Sequence, residues 1–96
     1  MFGDYKMLHS FNFILKAQAD PLFRKQLENA MRGTEDTELI CNYDLRISVH
    51  PKDGMLYVDK ATEDACKVVP MWFTIKAVEN ILAGNWDSAE GNFGYI

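Results

Sequence analysis

The sequence predicts an α+β fold in which helices lie on one face of an antiparallel sheet. Apolar residues recur with the helical period of 3.6 residues over 5–32, and then with the two-residue period of a strand over 39–49. A further helical pattern covers 75–83. This order of elements is typical of an α+β domain, and 96 residues suffice for a single domain spanning 1–96.

Two helices are predicted at the N-terminus. The first covers Tyr5–Ala19. The second follows Asp20 and Pro21, because an aspartate accepts hydrogen bonds from the free N–H groups of a first turn and proline suits the first helical position. It continues to about Arg32, where Gly33 predicts its end. The apolar face of the second helix consists of Phe23, Leu27, Ala30 and Met31.

The clearest pattern predicts one long strand, Leu39–Val49. Its odd-numbered residues are apolar, whereas all but one of its even-numbered residues are polar. This alternation favours an antiparallel sheet with one face on a core and the other in water. The turn chemistry of Asp53-Gly54 then predicts a hairpin, with a returning strand at Met55–Asp59.

The last third of the chain predicts another strand, a third helix and a short closing strand. The extended segment is Cys66–Phe73, and Pro70 within it indicates a bulge or an edge position because proline donates no ladder hydrogen bond. Thr74 is a suitable N-cap for a helix over Ile75–Ala83. We expect Asn85–Ile96 to form a loop followed by the closing strand, and the third helix to pack on the same sheet face as the first two.

The charge balance disfavours some partners. Ten basic and fourteen acidic side chains give a net charge of −4, whereas nucleic acids and anionic membranes attract basic surfaces. No apolar run approaches the roughly 20 residues of a membrane-spanning helix. The first ten residues lack the pattern of a secretory signal, so we expect a cytoplasmic protein that binds no nucleic acid and spans no membrane.

Neither a metal site nor a catalytic motif is apparent. Cys41 and Cys66 lie 25 residues apart, and His9 and His50 are distant from both in sequence, so we expect buried thiols without a disulfide or a metal. Phosphate-binding loops and the GxSxG and HExxH motifs are missing from the sequence. Either histidine could act as a general base in principle, but the prediction is a protein without enzymatic activity or cofactor.

Several short segments of the sequence resemble those of the sterol carrier protein 2 (SCP2)-like domains. Phe11–Gln26 is similar to the start of that family, with a break at Ala19-Asp20-Pro21 between two short helices. The family then has a long amphipathic strand, here Leu39–Val49, a hairpin, another strand, and a helix that ends in Leu-x-Gly before an aspartate. The corresponding residues here are Leu82-Ala83-Gly84 and Asp87. Family members usually continue with a helix, a strand and a final helix over the pocket, so we expect a shortened version of that region here.

The resemblance implies binding or carrying of an apolar ligand, such as an acyl chain or a sterol-like molecule, in a groove between sheet and helices. The residues expected to bind this ligand are Phe11, Leu15, Phe23, Leu27, Trp72, Phe73 and Trp86. The aromatic residues themselves leave two interpretations open, because they either line a cavity or simply fill the core.

The alternative function is that of a small accessory or regulatory subunit that docks on a larger protein through an apolar face. With a shortened C-terminal region, Trp86, Phe93 and Tyr95 are expected near an edge that longer family members cover. Large exposed apolar patches usually mark interaction sites, and tryptophan is a common interface anchor. A ligand, a protein partner or a homodimer would therefore cover this edge.

Overall fold

A computed structural model describes residues 5–41, 45–62, 69–89 and 91–96 of the chain. Within these ranges the fold is α+β, as predicted, and no helix there is both long and apolar enough to cross a membrane. The elements in chain order are α1 (Tyr5–Ala19), α2 (Pro21–Arg32), β1 (Thr37–Cys41), β2 (Leu45–His50), β3 (Met55–Lys60), β4 (Met71–Thr74), α3 (Ile75–Leu82), α4 (Trp86–Ala89) and β5 (Phe93–Tyr95).

The strands form one antiparallel meander in the order β1-β2-β3-β4-β5, so β1 and β5 are its edges. Helix α1 contacts β1, β2 and α3, while α2 contacts α1 and β2. Helix α3 contacts β4. The three longer helices therefore cover a single face of the sheet, as the sequence predicts.

The prediction of one strand over Leu39–Val49 is wrong, because this segment contains parts of two strands. The antiparallel register places Thr37 opposite Val49 and Cys41 opposite Leu45; residues 42–44 lie outside the described residues. Odd-numbered residues pair only with odd-numbered ones, and cross-strand partners project to the same face of a sheet. The apolar alternation is therefore in phase in β1 and β2, which makes the two strands look like one in the sequence, and the described odd-numbered residues of both lie on the predicted core face.

Both predicted helix N-caps are present. The carboxylate of Asp20 accepts hydrogen bonds from the backbone N–H groups of Leu22 and Phe23, at 3.0 and 3.4 Å. The Thr74 hydroxyl accepts one from the N–H of Ala77 at 3.0 Å. These bonds satisfy N–H groups that have no partner within the helix itself, and they fix where α2 and α3 begin.

The strand after the hairpin is shorter than predicted. Strand β4 begins at Met71, and the predicted start at Cys66 lies outside the described residues. Pro70 immediately precedes β4, where its missing N–H costs no ladder bond, and its carbonyl accepts the N–H of Ile96 at 3.1 Å. Before the closing strand β5, the short helix α4 occupies a segment that the sequence pattern predicts as a loop.

The core lies between the helices and the odd-numbered side of β1 and β2. Helix α1 directs Phe13, Ile14 and Ala17 into it, and each is at most 1% exposed. The expectation that Leu15 also packs over the sheet is wrong, because this side chain is 60% exposed. At 100° per residue, a helix that buries positions 13, 14 and 17 turns position 15 towards solvent.

Candidate functional site

The structure separates the seven residues predicted to bind a ligand. On the helix-covered side of the sheet lie Phe11, Phe23, Leu27, Phe73 and Trp86. Leu15 lies on the solvent side of α1, and Trp72 projects from the opposite, open face of the sheet. The seven side chains therefore do not converge on one groove.

An aromatic cluster lies where α1 meets β4, β5 and α4. Phe11 is at its centre, with its ring centroid 5.4 Å from that of Phe73 and 5.6 Å from that of Phe93, both in edge-to-face geometry. Its third ring neighbour is Trp86, at 6.0 Å. Phe13 extends the cluster into the core through a 5.4 Å contact with Phe73. Such ring pairs add stability beyond the area that they bury.

Exposure increases from the inner to the outer side of this cluster. Phe73 is fully buried and Phe93 partly buried, but Trp86 is 49% exposed although it packs against Phe11. Tyr95 lies on the same side of β5 as Phe93 and is 52% exposed; Ile96, which follows, is 74% exposed. We call Trp86 and Tyr95, which both lie on the helix-covered side of the sheet, the C-terminal apolar patch.

Backbone contacts hold Trp86 in place at the surface. Gly84, in the left-handed conformation at φ 89°, ends α3 and redirects the chain. The N–H of Asn85 then bonds the carbonyl of Asn80 at 2.7 Å. At the other end of α4, Ala89 is fully buried, and its carbonyl accepts the N–H of Asn92 at 3.0 Å. Helix α4, which carries the exposed Trp86, is therefore held in place by these backbone contacts at both of its ends.

The layer between helices and sheet is filled by side chains. No cavity is present in the part of the chain that the structure describes, and Leu27 and Phe73, both predicted to line a groove, have no exposed surface. A small-molecule pocket ordinarily encloses about 300–1,000 Å³. These residues act as core, and a ligand groove between sheet and helices stays a prediction.

The open face of the sheet carries aromatic and charged residues. Arg46 and Asp59, opposite each other on β2 and β3, form a two-bond ion pair at 2.6 and 3.0 Å that raises the pKa of Arg46. His50 contacts the Asp36 carboxylate at 3.1 Å and the Tyr57 ring at 5.5 Å. Among the described residues no group of three or more acidic, histidine or cysteine side chains has the geometry to hold a metal ion.

Trp72 covers a glycine on this open face. It pairs with Gly94 on β5, and a Cβ atom added to Gly94 would lie 3.0–3.2 Å from the indole of Trp72. The indole thus occupies the space that a side chain at position 94 would fill. This contact explains the position of Trp72, whose side chain packs on the closing strand.

We expect Gly94→Ala to lower the free energy of unfolding by about 1–2 kcal/mol, because the new methyl group forces the indole away. Chemical denaturation measures this loss, and tryptophan fluorescence reports the displaced ring. The same substitution in a Trp72→Ala background is the control, in which the loss should largely disappear. An equal loss of unfolding free energy in both backgrounds would show that the contact with the Trp72 indole is not its cause.

Sequence patterns find part of this surface. They place Trp86, Phe93 and Tyr95 near an edge, but they miss the central position of Phe11, because ring contacts between distant segments leave no periodic signal. The side chains of His9 and Cys66 lie outside the described residues, and Cys41 is buried. No family model, curated protein or solved structure matches the chain, so the SCP2-like resemblance stays a prediction.

Proposed function

We propose that this protein is a non-enzymatic accessory module that docks on a protein partner through the C-terminal apolar patch. The observation that carries this proposal is Trp86, a large ring that packs on the aromatic cluster by one side while half of its surface remains in water. Buried tryptophans are among the strongest contributors to protein interfaces.

The surroundings of Trp86 suit docking. Trp86 packs against the partly buried ring of Phe11, and Tyr95 lies on the same side of β5 as Phe93, so a partner side chain that covered both would extend the core outward. Exposed Asp87 follows Trp86 directly, and the chain is acidic overall. We therefore propose a partner with an apolar pocket for the indole and a basic side chain on its rim.

The carrier function implied by the family resemblance is less well supported. An apolar ligand needs an enclosed volume, whereas Leu27 and Phe73, two of the residues predicted to line it, have no exposed surface. Native mass spectrometry of the purified protein tests this alternative directly. A stoichiometric acyl or sterol-like adduct would favour the carrier over the docking module.

We expect Trp86→Ala to weaken binding of the partner at least about tenfold, because truncating a central interface tryptophan commonly costs 2 kcal/mol or more. The partner is first isolated by affinity purification with the wild-type chain and then reconstituted as a pure complex. Isothermal titration calorimetry measures both dissociation constants. Circular dichroism checks that the variant retains its fold.

Tyr57→Ala is the matched control for this experiment. Tyr57 is also a partly exposed aromatic residue, but it lies on the open face of the sheet, away from the patch. Its truncation should leave the affinity within about twofold of wild type. Equal weakening by both variants, or no change with Trp86→Ala, would argue against docking through the patch.

A further inference from the structure

The hydrogen bonds between β4 and β5 show which way the backbone of β5 points. Just before β5, the carbonyl of Asn92 accepts the N–H of Thr74 at 2.9 Å. Just after it, the N–H of Ile96 donates to the carbonyl of Pro70 at 3.1 Å. In an antiparallel ladder, residues that bond the neighbouring strand alternate with residues whose backbone groups point away from it. Gly94, midway between these two bonds, therefore also faces β4.

The outer edge of β5 consists of the N–H and C=O groups of Phe93 and Tyr95, which point away from β4. In the part of the chain that the structure describes, β5 has a strand neighbour on one side only, and these two residues make no backbone hydrogen bond on the other side. Tyr95 is 52% exposed. The edge therefore presents two donors and two acceptors, with the spacing of a strand, to an extended chain.

We propose that the partner that docks on Trp86 contributes an extended segment, which pairs with β5 as an additional strand of the sheet. This inference rests on the proposed function, because bonds to two residues are a small contact by themselves. Trp86 and Tyr95 supply the apolar contact beside them. Successive side chains of a strand project to opposite faces, so every second residue of the segment would lie on the helix-covered side, next to the patch.

Charge favours a segment of another protein over a second copy of this chain. Asp87 is exposed directly after Trp86, and the chain has a net charge of −4, so a second copy would bring like charges to the interface. The added segment should have apolar residues at alternate positions and a lysine or arginine that reaches Asp87. On the open face, its residue opposite Gly94 would contact the indole of Trp72, which covers that glycine.

Amide hydrogen exchange measured by NMR tests the proposal. The probe is a linear peptide of about seven residues, selected from a display library on the immobilised wild-type chain and then synthesised. We expect the peptide to slow the exchange of the Phe93 and Tyr95 amides at least about tenfold. The amide of Gly94, which faces β4, is the control within the same strand and should be protected with and without the peptide.

Tyr95→Pro tests the same backbone contact by affinity. Proline removes the N–H of residue 95, which points away from β4, so the free protein should keep its ladder bonds. Tyr95→Ala is the matched control, because it removes the same ring and retains the N–H. We expect the peptide to bind Tyr95→Pro at least about tenfold more weakly than Tyr95→Ala in isothermal titration calorimetry. Circular dichroism checks that both variants are folded.

Three outcomes would overturn the added strand: a library that yields no binding peptide, equal affinities of the two variants, or unprotected Phe93 and Tyr95 amides in the peptide complex. Protection that rises with the concentration of the chain alone would also overturn it, since the occupant would then be a second copy.

Trp86→Ala separates this proposal from the docking itself. If that variant weakens the complex with the purified partner while the Phe93 and Tyr95 amides of the wild-type complex stay unprotected, the docking stands and the added strand is wrong. If both amides are protected in the complex but Trp86→Ala leaves its affinity unchanged, the strand pairs and the docking through the C-terminal apolar patch is wrong.

Discussion

Aspartate in place of Ile47 is expected to lower the free energy of unfolding by about 4 kcal/mol or more, a large part of the 5–15 kcal/mol that stabilises a typical domain. Ile47 is fully buried in the centre of the sheet. Its cross-strand neighbours are Leu39 and Val58, so a carboxylate there would have neither water nor a cation beside it. Urea denaturation followed by circular dichroism measures the loss.

Ser48→Asp is the matched control, one position further along β2. Ser48 projects to the open face and is partly exposed, so its substitution should cost under about 1 kcal/mol, including repulsion from Glu38 opposite it. Comparable losses in the two variants would contradict the assignment of odd-numbered residues to the core.

Local signals explain why much of the fold follows from the sequence. Asp20-Pro21 and Thr74 determine where helices begin through hydrogen bonds to their own first turns, and such bonds depend only on near neighbours. The alternation does not predict the reversal between β1 and β2. Because Cys41 pairs with Leu45, the alternation continues in phase on both sides of it, although asparagine and aspartate within 42–44 are turn-favouring residue types.

The candidate site is less predictable because it depends on which side chains meet across the fold. Trp72 and Phe73 are adjacent apolar residues in the sequence, yet consecutive strand residues project to opposite faces. One therefore covers Gly94 on the open face, and the other fills the core. Apolar composition alone cannot separate these roles, nor can it tell that Trp86 packs on Phe11.

Phe73→Ala is expected to lower the free energy of unfolding by about 3–5 kcal/mol. The ring has no exposed surface, and it contacts Phe11, Phe13 and Phe93 with centroid distances of 5.4–5.6 Å. Its removal leaves a cavity that these three rings can only partly close. Chemical denaturation of the purified protein gives the loss, and this measurement also decides between a filled core and a ligand groove.

Trp72→Ala provides the comparison, since it removes a larger side chain from the neighbouring position in β4. Because Trp72 is partly exposed and covers only the edge of the sheet, its loss should cost about 1–2 kcal/mol, less than that of Phe73. A ring that lines a groove has open space on one side, so its truncation would enlarge the groove and cost little. If Phe73→Ala lowered the free energy of unfolding by under about 1 kcal/mol, the ring would line a groove. That result would support the carrier function, which needs space for an apolar ligand.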